Sequence, residues 1–113
     1  MSPSEVCAKF GAEFHPPKDG AKFGVALPLA GRPLHALRHP EEGDSSGWYV
    51  WSGELRDSPD FFQPLHISHL EDVAPRLGPY IGLAPGWRVL LGENGHEDVW
   101  FDESLLHLVV NDA

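Results

Sequence analysis

Trp48, Tyr49, Val50 and Trp51 stand in a row, bracketed by Gly47 and Gly53 within Ser46-Gly-Trp-Tyr-Val-Trp-Ser-Gly-Glu54. All four favour strands. In a strand, Trp48 and Val50 point to one side, and Tyr49 and Trp51 to the other. Both faces then need cover, which describes an interior strand rather than an edge with one wet face. The remainder of the chain must supply neighbouring strands and a layer over each face. With 113 residues this is the work of one domain, large enough for a single core.

Several shorter segments fit as neighbours. Lys22-Phe-Gly-Val-Ala-Leu27 alternates large and small residues and stops before Pro28; Leu34-His-Ala-Leu-Arg-His39 is extended. A turn at Ala30-Gly-Arg-Pro33 would join them as a hairpin. Phe61-Phe-Gln-Pro-Leu-His-Ile67 is extended after a loop at Arg56-Asp-Ser-Pro-Asp60. Gly86-Trp-Arg-Val-Leu-Leu91 and Asp98-Val-Trp-Phe101 flank Asn94-Gly95, a pair that favours a tight hairpin turn. Between them the period changes. Leu70, Val73, Ala74, Leu77 and Ile81 fall on one helical face, and Ser68 and Glu71 have capping-box spacing. Pro75 lies inside that pattern and predicts one kinked or two short helices, the second beginning there.

Residues 1–21 carry no pattern beyond a short helix around Glu5–Phe10 with Ser4 as cap, and a turn at Pro16-Pro17-Lys-Asp-Gly20. The C-terminal Ser104–Val110 reads as either a short helix or an edge strand. The expectation is a single α+β domain over 1–113, with a mostly antiparallel sheet of about five or six strands.

Composition narrows function by exclusion. No apolar run approaches the ~20 residues that span a bilayer, and the N-terminus lacks the pattern of a secretory signal. The single cysteine, Cys7, reads as a free thiol. The net charge of −9 is uneven: residues 57–113 hold 2 basic and 10 acidic groups. That balance repels nucleic acid and anionic lipid and suits a cationic partner, unless it serves solubility alone.

Chemistry of the catalytic kind finds little footing. His66 and His69 are three apart, and His35 and His39 four apart, but neither pair falls on a continuous helix. No repeated ligand spacing accompanies them, so no metal is expected, and their bland role is to hydrogen-bond within the fold. There is no nucleophile elbow and no phosphate-cradling loop, so no catalytic residue and no cofactor is assigned. Glu97-Asp-Val-Trp-Phe-Asp102 is more informative. In a strand, Asp98, Trp100 and Asp102 share one side and Val99 and Phe101 the other. Two placements of Trp100 are open. It is core beneath a helix, or it is an exposed anchor whose acidic neighbours steer a basic partner. On the second placement the partner-binding residues are Glu93, Glu97, Asp98, Trp100, Asp102 and Glu103. Arg38 and His39 are expected to anchor a loop.

Taken together, Leu37-Arg-His-Pro40, the Ser46–Glu54 segment, Asp60-Phe-Phe-Gln-Pro-Leu-His66, His69-Leu70, Leu83-Ala-Pro-Gly-Trp-Arg88 and Glu97–Asp102 resemble a bacterial family of small immunity-type proteins of polymorphic toxin systems. The resemblance covers 22–108 and leaves out 1–21. It implies a cytoplasmic, non-enzymatic protein that binds and neutralises a cognate protein toxin. It offers no catalytic residue and does not identify the toxin. The alternative is a small-molecule-binding or regulatory module, with the Gly-Trp segments and histidines lining a pocket.

Overall fold

A computed structural model describes residues 1–29, 33–55 and 61–107. Most of the turn expected at Ala30–Pro33, the loop at Arg56–Asp60 and the tail after His107 lie outside these residues. β1 (Lys22–Val25), β2 (Leu34–Arg38), β3 (Ser45–Ser52), β4 (Gln63–His66), β5 (Trp87–Leu91) and β6 (Glu97–Phe101) form one sheet, in the order β4-β1-β3-β2-β5-β6. β3 lies in the interior with both faces covered, and Trp48 and Trp51 are both buried. β1 runs parallel to β3, and every other pairing is antiparallel. The domain is therefore α+β with a mostly antiparallel sheet.

The hairpin expected between the first two strands does not form, because β3 lies between them. A strand that is large and apolar on both faces gains most from a central position. β1 and β2 each take one of its flanks. The edges fall to β4, which carries Pro64, and to β6.

One sheet face carries the main core. Phe23, Val25, Leu34, Ala36, Trp48, Val50, Val89 and Leu91 pack there against Val6 and Cys7 of α1 (Pro3–Phe10), and against Leu70, Leu77 and Leu83. Burying each such large side chain contributes roughly 1.5–3 kcal/mol before entropy is counted. The cap of α1 is Ser2 rather than Ser4. Its side chain accepts from the Glu5 amide while Glu5 reaches back to the Ser2 amide. Pro3 then falls in the first turn, where its missing N–H costs nothing.

The second helical region divides at Pro75 as its sequence predicts. A 3-10 turn (Ile67–His69) leads into α2 (Leu70–Val73), and a second 3-10 segment runs over Pro75–Tyr80. The expected Ser68–Glu71 box is absent, since α2 starts at Leu70 with no side-chain cap. Ser68 lies within the 3-10 turn rather than in the extended backbone an N-cap adopts, so it cannot serve the box. The proline forces Ala74 out of the helical region, to φ −145° and ψ 62°, ending α2 at Val73. The apolar face of this region still holds: Leu70, Ala74 and Leu77 are buried, and Val73 and Ile81 pack against the core.

Arg38 and His39 anchor loops, as expected. Arg38 is fully buried, with its guanidinium 5.6 Å from the Trp48 ring. Nε donates to the Ser46 carbonyl at 2.8 Å, and Nη1 to the carbonyls of His15 at 2.6 Å and Leu83 at 2.8 Å. Nη2 meets Glu41 at 3.1 Å. One side chain thus ties the N-terminal segment, the loop before β3 and the loop before β5 to the sheet. His39 Nδ1 donates to the Leu105 carbonyl at 3.2 Å.

Candidate functional site: an open sheet face and its edge

The second sheet face is less completely covered. Strand alternation and register place His35 and Leu37, Tyr49 and Trp51, Arg88 and Leu90, and Asp98 and Trp100 there. Gly24 lies on the same face, where a Cβ would sit 2.6 Å from the Tyr49 ring. Phe61, Phe62 and Leu105 cover the part nearest β1 and β3, around Ala26, Leu37 and Trp51. Leu105 belongs to a 3-10 turn (Glu103–Leu106) that folds back after β6. Trp100, at the far edge, is 42% exposed.

The face is built from stacked rings and charges. His35 stacks on Trp51 with centroids 5.0 Å apart. Desolvation, and then the nearby Arg88, push the His35 pKa down and keep its ring neutral at physiological pH. The Arg88 guanidinium lies 5.8 Å from the Trp100 ring, and its Nη1 meets Asp102 at 2.9 Å. Asp102 also accepts from the Ser104 hydroxyl at 2.6 Å and the Ser104 amide at 3.1 Å, which starts the 3-10 turn. These bonds, the hydroxyl first and then Arg88, hold the Asp102 carboxyl below its ordinary value. Asp102 thus fixes Arg88, and Arg88 backs the indole of Trp100.

The six residues singled out from sequence fall into separate places. Asp98 and Trp100 share the open face, and Asp102 closes its margin. Asp98 is exposed, 3.2 Å from His96 Nε2. Glu97 lies on the opposite face, where it accepts from the Tyr80 hydroxyl and from Lys9 Nζ at 3.0 Å. Those two bonds lower its pKa, while burial and Glu97 push the Tyr80 phenol up to about 12. Glu93 is exposed at the hairpin turn, and Glu103 is exposed in the 3-10 turn, 3.6 Å from His107. Sequence reasoning omitted Arg88 and His35 from this surface. It also left out Phe101, which is 48% exposed on the face opposite Trp100 and packs edge-on against Trp87 at 5.7 Å.

Two clefts meet at His39 and Tyr49. One, of about 460 Å³, continues past Glu42 and Ser45; the other, of about 220 Å³, is lined by Leu37, Trp51, Leu55 and Phe62. Among the described residues no three His, Cys, Asp or Glu side chains are grouped to hold a metal ion. The buried Cys7 thiol is pushed up by desolvation, away from the reactive thiolate. Among the described residues, no helix is long and apolar enough to cross a membrane.

These features define a small α+β domain that offers ordered aromatic and acidic surface at one side of its sheet. The family model of the Imm33-like domain matches residues 2–102, and the chain belongs to that family, whose name is that of an immunity protein. The match takes in the N-terminal segment that the resemblance left out, including α1. No curated protein and no solved structure matches the chain.

Proposed function

We propose that this protein is a cytoplasmic immunity protein that binds a basic cognate toxin and neutralises it stoichiometrically, without catalysis, cofactor or metal. The contact surface is the β5–β6 side of the open face. Trp100 is the anchor, and Asp98 lies on the same face of β6. Glu93 at the hairpin turn and Glu103 in the 3-10 turn are exposed carboxylates toward its two ends. Asp102 and Glu97 act from behind, the first by fixing Arg88 under the indole and the second by holding β6 to the helical layer. The observation that carries this reading is the exposure of Trp100, 42%, on a face pinned from below by Arg88. A rigid, half-exposed tryptophan beside carboxylates is what a desolvating hot spot for a cationic surface requires.

The test is co-expression with the product of the neighbouring reading frame, followed by affinity measurement. Trp100→Ala and Asp98→Lys are each expected to weaken the complex by about 10- to 100-fold with the circular dichroism spectrum unchanged. Wild-type affinity in both variants, or a neighbour that neither harms growth nor co-purifies, removes the proposal. Small-molecule binding is the second reading, favoured by the cleft of about 460 Å³ beside His39 and Tyr49. A melting temperature raised several degrees by a metabolite would select it.

A further inference from the structure

β6 is an edge strand, and the direction of its backbone groups follows from the ends of the β5–β6 ladder. The Asp102 amide donates to the Gly86 carbonyl at 2.7 Å, and the Gly92 amide to the His96 carbonyl at 3.0 Å. Both pairs continue the register Arg88↔Trp100 and Leu90↔Asp98. In an antiparallel ladder only alternate residues bond across it. Asp98 and Trp100 therefore turn their N–H and C=O groups toward β5. Glu97, Val99 and Phe101 turn theirs outward, and among the described residues no backbone group meets them.

The two sheet edges are treated differently. β4 carries Pro64, which blocks extension of the ladder. β6 has no proline, no bulge and in-register pairing along all five residues. It also exposes one aromatic on each face, Trp100 and Phe101. Such an edge is a template for strand addition. A second copy fits it poorly. Each copy carries a net charge of −9, so pairing two such edges would bring together two chains of the same strong charge.

We propose that the basic partner docks by adding an extended segment to β6 as a seventh strand. This rests on the reading that a protein toxin binds at this side of the sheet. The outward N–H and C=O groups of Glu97, Val99 and Phe101 supply the main-chain pairing. Trp100 and Phe101 clasp apolar side chains of the incoming strand, one on each face. Asp98 and Glu103, near opposite ends of the strand, receive basic residues that flank the apolar ones.

Hydrogen exchange of the complex with the neighbouring reading frame's product tests this directly. The Glu97, Val99 and Phe101 amides are expected to exchange at least tenfold more slowly in the complex than in the free protein. Val99→Pro removes one outward donor without touching the ladder to β5, and is expected to weaken binding at least tenfold. If this variant does not fold, the exchange measurement on the wild-type complex decides alone. A stable complex in which these amides keep their free exchange rates overturns strand addition and leaves the immunity reading standing. Failure of any complex to form with that product overturns both.

Discussion

Arg38 and Gly47 are neighbours in space, and each is required by the other's surroundings. Arg38 is a cation with no exposed surface whose donors end on three carbonyls and one carboxylate. Arg38→Met would keep much of the volume but leave those acceptors and Glu41 without their donor. The loss of stability is expected to be about 3 kcal/mol or more, read by urea denaturation. Arg38→Lys is expected to recover little, since one ammonium cannot span the fork. At Gly47, φ is +89°, and a Cβ would lie 1.9 Å from the His39 carbonyl oxygen. Gly95 has φ +79° but nothing within 4 Å of its Cβ position. Gly95→Ala therefore isolates the conformational cost, about 1 kcal/mol. Gly47→Ala adds a backbone clash and is expected to cost on the order of 3 kcal/mol or more. Equal losses in the two variants would contradict this account.

Elements specified by local chemistry were legible in the sequence, and those specified by distant partners were not. β3 announced its interior position because four large residues in a row need cover on both sides. The β5–β6 hairpin followed from Asn94-Gly95, whose φ values of 60° and 79° are the pair of positive angles that a type I′ turn demands. Pro75 marked the helix break. The partner of β1, by contrast, was decided by the competition of three strands for the flanks of β3, and adjacency in sequence pointed to the wrong neighbour. The cap at Ser2 was missed because Ser4 offers the same chemistry two residues later. At the site, alternation placed Asp98 and Trp100 on one face correctly. Whether that face was buried depended on β6 being the sheet edge, a property of the order of strands rather than of any one of them. Glu97 and Asp102 were visible as acids, but Lys9, Tyr80 and Arg88 became their partners only through folding.

At the scale of the whole molecule, those partnerships set the pH range of stability. Glu97 joins β6 to α1 through Lys9 and to the 3-10 segment through Tyr80. Glu41 joins His15 and Arg38, and those contacts lower its pKa, the His15 bond most. Glu41, Glu97 and Asp102 all have folded-state pKa values below their ordinary ones. Their contribution is present above the unfolded values, 4.5 for the glutamates and 3.8 for the aspartate, and is lost as pH falls through the folded ones. His35, also lowered, adds a loss that begins as pH drops below its ordinary 6.5, because the unfolded chain takes up the proton first. Tyr80 acts at the other end. Raised from 10.0 to about 12, it contributes fully below pH 10 and is lost between there and about 12. The buried Cys7 thiol, also raised, begins a loss of its own above its ordinary 9.0. Unfolding free energy should therefore be highest between about pH 6.5 and 9 and fall on both sides. Tyr80→Phe should weaken the alkaline limb and, by removing one donor to Glu97, part of the acid limb as well. Denaturant midpoints measured from pH 3 to 11.5 in the wild type and this variant would test the assignment. An alkaline limb unchanged by Tyr80→Phe would show that the phenol is not its source.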